Sequence, residues 1–177
     1  ERDRICRMVD KGEIDHHDPE LSKWIHQVVY VQANQYRYLC VIAVCSFLEE
    51  ELEGVSKRLY SDYQTRKDKA NNRNPIDFHW KLLHETEFRV LEAKEDSKEY
   101  TIVKQFFVLR NLITHGWGNL SEMNRQNKTH LFRVIPDIEE FMDGYVHLGP
   151  DSVPELLVAV NQIHGKIKQA IIEREQC

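Results

Sequence analysis

The sequence predicts an all-α fold, an antiparallel bundle of four or five helices with one short β-hairpin inserted, on three observations. Val41, Cys45, Leu48, Leu52, Val55 and Leu59 follow a 4-3-4-3-4 spacing, the seam of a helix packed along another helix. Glycine (7) and proline (5) are scarce and fall at element ends, which is how helix-rich chains are punctuated. Two pairs, Asp18-Pro19 and Asn74-Pro75, each read as a cap followed by proline in the first helical turn.

Residues 1–17 are polar and irregular and read as an N-terminal arm, leaving 18–177 as a single helical domain. The first helix opens at Asp18-Pro19 and runs to about Tyr63, with a break near Ala33-Asn34 as an option. Arg66 to Asn74 reads as a polar connector of net charge +3, from Arg66, Lys67, Lys69 and Arg73 against Asp68. Such a run is a solvated loop in the plain reading and a contact for RNA phosphates or an acidic partner in the sharper one. The second helix starts at Asn74-Pro75 and carries Ile76, Trp80, Leu83 and Leu91 to about Ala93. After a charged turn, Lys94 to Asp96, the third helix spans Ser97 to His115 and closes on Gly116 as a left-handed C-cap. Residues 116–128 read as a loop. Thr129 to Ile135 alternates enough for a short strand, paired with Tyr145 to Leu148 across Pro136 to Gly144. Ser152-Val153-Pro154-Glu155 reads as a capping box with Ser152 as the cap of the last helix, which continues through Leu156, Leu157, Val160, Ile163, Ile167 and Ile171.

Composition narrows the function classes. At 177 residues, 41% hydrophobic and 30% charged, the chain can bury a core without disulfides or metal. Cys6, Cys40, Cys45 and Cys177 form no C-x-x-C pair, and Cys40 and Cys45 lie within an apolar helical pattern, so a reducing, cytoplasmic setting is expected. The longest apolar stretch, Cys40 to Cys45, is far too short to span a bilayer, and the charged start Glu-Arg-Asp-Arg has no apolar segment behind it. The net charge of −5 argues against a broad electrostatic nucleic-acid binder and leaves room for a local basic site. No glycine-rich phosphate loop is present, and His16-His17 beside Asp15 and Asp18 lacks a fourth ligand at metal spacing, so neither cofactor nor metal is expected. His79 and His84, five apart, do not share a helical face, and Cys45-Ser46 has no nearby base.

The third helix concentrates the chemistry. Ile102, Phe106, Leu109 and Ile113 make its core stripe; at 100° per residue, Asn111 and His115 share the far face one turn apart, and Arg110 sits at the stripe's edge. Phe107 and Val108 flank that far face, which suggests that a second copy of the chain covers it.

Arg110-Asn111-x-x-x-His115, closing a helix before a glycine, resembles the R-x4-6-H motif of the HEPN (higher eukaryotes and prokaryotes nucleotide-binding) superfamily. Ser46-Phe47-Leu48-Glu49-Glu50-Glu51-Leu52 is similar to the acid-bearing first helix of many of its members, and the likeness covers roughly residues 20–120. Many HEPN proteins are metal-independent endoribonucleases that dimerise so that two motifs face one cleft. The resemblance thus implies an RNA substrate, a homodimer, and a toxin or defence effector held by a cognate antitoxin or other regulatory partner. It implies catalytic Arg110, Asn111 and His115, supported by Glu49. Some HEPN toxins are silenced by nucleotidyl transfer to a tyrosine two residues after the histidine; Trp117 stands at that position here, so this route does not carry over.

The residue types suit that chemistry. RNA supplies its own nucleophile, the 2′-OH, and needs only a proton shuttle and a stabiliser of phosphorane charge. Imidazole titrates near neutrality and suits the first role; the guanidinium fork matches phosphate oxygens and suits the second. Asn111 could orient the imidazole or bond the phosphate. The competing reading of the motif is structural: Arg110 pairs with Glu49 to hold two helices together and His115 caps the helix, a pairing compatible with either function. The rival function is a non-catalytic HEPN-like dimerisation, nucleotide-sensing or scaffold module. A plain helical interaction domain with an accidental motif is the third.

Overall fold

The computed structural model describes residues 19–70, 74–85, 90–94, 96–141 and 144–175. Over these the chain forms six helices and one two-stranded antiparallel hairpin: α1 Pro19–Leu59, α2 Tyr63–Lys69, α3 Pro75–Glu85, α4 Lys98–Gly116, α5 Arg125–Val134, β1 Ile138–Phe141, β2 Tyr145–Leu148 and α6 Ser152–Glu175, with a 3-10 turn at Leu120–Glu122. The chain divides into two compact units, Glu1–Tyr36 and Arg37–Cys177. The described part of the first is the opening of α1; the second holds the bundle. The expected polar arm, with Cys6 and His16-His17, lies outside the described residues, as does Cys177.

The seam of α1 is buried as its spacing requires: Val41, Cys45, Leu48, Leu52 and Val55 are all core. The helix passes Ala33-Asn34 without a break and stops at Leu59; a turn then starts α2, so residues 66–69 of the expected connector are helical. Part of that segment's charge is used locally, Arg66 on Asp62 and Lys67 on Glu53. Helix α3 is described over Pro75–Glu85 and residues 90–93 are not helical, short of the expected end near Ala93; from within α3 Trp80 donates its indole N–H to the Glu92 carbonyl, and Leu91 is core.

Between α2 and α3 lies a small second cluster of Tyr63, Phe78 and Leu82. His79 is only 2% exposed beside it, its Nδ1 3.3 Å from the Ser56 hydroxyl and its ring stacked on Tyr63. Burial holds this imidazole down at about 4, against an ordinary 6.5. The folded chain therefore binds fewer protons than the unfolded chain between those values, so this contribution to stability is complete above about pH 6.5 and is lost as pH falls toward about 4. The loss is about 3 kcal/mol at 1.4 kcal/mol per unit. Urea midpoints at about pH 7 and about pH 4 should show this drop in the native chain and a smaller one in His79→Gln.

Helix α4 is the central helix. Ser97 caps it, accepting from the Tyr100 N–H at 3.1 Å. Tyr100, Ile102, Val103, Gln105, Phe106, Phe107, Leu109 and Ile113 are all buried, so its middle is enclosed on more than one side. This corrects one expectation: Phe107 is not on an open face but fully buried, beneath the Arg110 guanidinium at 5.5 Å from ring centroid.

The hairpin forms with a different first strand. Ile138–Phe141 pairs with Tyr145–Leu148, from Ile138 opposite Leu148 to Phe141 opposite Tyr145. Residues 125–134, within the expected loop and strand, are the helix α5. Asn124 caps it through the Asn127 N–H at 2.9 Å; Leu131 is its buried residue, and Ile135, four residues on at the C-cap, is buried as well. Ser152 is the first residue of α6 rather than its side-chain cap: the hydroxyl donates to the Pro136 and Asp137 carbonyls and ties the helix to the hairpin's entry.

Candidate functional site

The emergent end of α4 carries the residues singled out by sequence. Arg110 donates from Nη2 to Glu49 Oε2 at 2.7 Å and from Nη1 to Asn111 Oδ1 at 3.1 Å. The ion pair joins α1 to α4, with the two side chains 22% and 27% exposed. Three of the five guanidinium N–H groups have no protein acceptor among the described residues, and these are what a phosphate could engage. Asn111 is half-buried and His115 is exposed. Glu49, Arg110 and Asn111 are thus joined by hydrogen bonds; His115 follows one turn after Asn111 on the same face, without a hydrogen bond to it.

Cys45 lies under the ion pair. Burial pushes its thiol up to about 12, with the Arg110 charge pulling the other way and Glu49 adding to the rise. A thiol held protonated in this way packs and does not attack.

The helix end is closed by two bonds, Trp117 N–H to the Ile113 carbonyl at 2.9 Å and Gly118 N–H to the Leu112 carbonyl at 3.2 Å. Trp117, not Gly116, takes the left-handed conformation (φ 54°), which corrects the expected cap. Asn119 N–H reaches the Gly116 carbonyl at 2.9 Å. Three carbonyls at the negative end of the helix are therefore satisfied internally, which lessens the repulsion a phosphate would meet there.

Two features escaped the sequence reading. The first is a cationic face on α5, where Arg125, Gln126, Thr129, His130 and Arg133 line one open surface and all are exposed. Lys128, on its flank, pairs with Glu140. The available signal was the lack of any acidic residue from Met123 to Pro136 in a chain of net charge −5. The second is the exposure of Trp117, 79%, two residues after His115.

Among the described residues no group of three or more His, Cys, Asp or Glu is placed to hold a metal ion. Among them, too, no helix is long and apolar enough to cross a membrane. Compared with protein-family profiles, curated proteins and solved structures, the chain matches none.

Proposed function

We propose that the chain is an endoribonuclease of the HEPN kind, with its site at the end of α4. The observation that carries this reading is the grouping there of a braced arginine, with N–H groups that have no acceptor among the described residues, and an exposed imidazole, Arg110 and His115. In this mechanism the phosphate of a single RNA strand lies against Arg110. The ribose 2′-oxygen attacks the adjacent phosphorus while its proton passes to an imidazole. Charge gathers on the equatorial oxygens, where the guanidinium offsets it. The 5′-oxygen leaves with a proton from an imidazolium, yielding a 2′,3′-cyclic phosphate and a 5′-hydroxyl. Glu49 and Asn111 position the guanidinium. The α5 strip of Arg125 and Arg133 offers further cations for the phosphate backbone.

Each chain carries one His115, and the reaction uses a base and an acid, so a homodimer that brings two histidines to one cleft is part of the proposal. Its support is this stoichiometry, not the apolar face first assigned to Phe107, which belongs to the core.

Purified protein incubated with total RNA in EDTA is expected to cleave it, leaving 2′,3′-cyclic phosphate ends, because the nucleophile comes from the RNA. Cleavage that appears only with magnesium would move the protein to another enzyme class.

One observation also fits a second reading. The Glu49–Arg110 pair spans two helices and would serve a non-catalytic scaffold equally well. That reading predicts no cleavage under any condition.

A further inference from the structure

Trp117 has no structural reason to be tryptophan. Its side chain is 79% exposed, and among the described residues it has no ring contact or hydrogen-bond partner for the indole. Its backbone sits at φ 54° and ψ 25°, a conformation that costs any residue with a Cβ and that glycine adopts freely. Glycine is the usual occupant of this place in a helix cap.

The backbone around it is nonetheless held firmly. Its own N–H and that of Gly118 are both bonded into the last turn of α4. Gly118, at φ 85°, packs so closely on Tyr38 that a Cβ there would come within 2.2 Å of the phenol oxygen. The Tyr38 hydroxyl donates to the Val146 carbonyl, and the Val146 N–H returns to the Gly118 carbonyl at 2.9 Å. A fixed backbone thus presents a bare aromatic face two residues beyond His115. Backbone strain kept beside a candidate site, at the expense of the residue that would relieve it, points to a use for the side chain.

We infer that Trp117 is a stacking platform for one nucleobase of a single RNA strand, the base next to the phosphate engaged by Arg110. The inference rests on reading this helix end as a ribonuclease site. It adds a substrate preference: a base can stack on the indole only when its own face is free, so unpaired RNA is favoured over duplex. Purines, with the larger face, should be favoured over pyrimidines.

The test is binding, measured without cleavage. An adenine-rich oligonucleotide with 2′-O-methyl groups has no nucleophile and is not consumed by the native chain. Its Kd is measured at one fixed salt concentration for wild type, Trp117→Phe, Trp117→Ala and Trp117→Gly, with a duplex of the same length as control and with melting curves for every variant. Trp117→Ala and Trp117→Gly are expected to weaken single-strand binding by roughly 5- to 150-fold. Trp117→Phe should retain most of it, and duplex binding should not change. Trp117→Gly should melt no lower than wild type, because glycine suits the cap. Single-strand binding by Trp117→Gly equal to that of wild type overturns the inference, as does wild type that binds no single strand. A change of oligomeric state in Trp117→Ala with unaltered RNA affinity also overturns it, and makes the indole a protein contact. The two readings fail separately. Trp117-dependent binding without cleavage of ordinary RNA would sink the ribonuclease reading alone, whereas cleavage and binding indifferent to Trp117 would sink the stacking alone.

Discussion

Arg110→Ala is expected to abolish RNA cleavage and to destabilise the fold by about 2 kcal/mol. Breaking a fully buried ion pair costs about 3–5 kcal/mol, and a surface pair is worth at most about 1. The Glu49 and Arg110 side chains, 27% and 22% exposed, fall between these limits. Removing the guanidinium leaves the half-buried Glu49 carboxylate without its 2.7 Å partner and uncovers the Phe107 ring beneath. The double variant Arg110→Ala with Glu49→Gln should recover part of the stability, because it strands no charge. It should recover none of the cleavage. Urea unfolding of the single and double variants, run beside an RNA cleavage assay, separates the two roles. Equal stability of wild type, both single variants and the double would mean that the pair contributes nothing. Loss of stability in a protein that never cleaved RNA would favour the scaffold reading.

Much of the fold is legible in the sequence because its main signals are local. The α1 seam, the Ser97 start of α4 and the Tyr145–Leu148 strand all follow from spacing and flanking residues. The errors share a cause, which is that tertiary contacts decide what a short pattern means. In α4, the stripe of Ile102, Phe106, Leu109 and Ile113 suggests one buried face, but Val103 and Phe107 form a second apolar arc, as suits a central helix. Over Thr129 to Ile135 an alternating pattern competes with the Leu131–Ile135 spacing, and the Asn124 cap decides for helix. In the Ser152 box, the hydroxyl finds better acceptors in the Pro136 and Asp137 carbonyls. Of the candidate site, residue types and the Glu49–Arg110 pairing could be read from spacing. The exposure of Trp117 could not, since it depends on a cap fixed by Tyr38 and Val146 from distant parts of the chain.

The most direct measurement of the central claim is the cleavage rate of His115→Ala against wild type, on the same RNA in EDTA. A proton shuttle contributes roughly 10²–10⁴-fold to rate. His115 is exposed on the last turn of α4, so removing its ring should leave the core and the melting temperature nearly unchanged. The variant is expected to fold, to bind RNA still through Arg110 and to cleave at least about a hundredfold more slowly. A variant that cleaves as fast as wild type would contradict the claim and make the motif an accident of a helix end. So would a variant that unfolds, because the histidine would then be a structural cap.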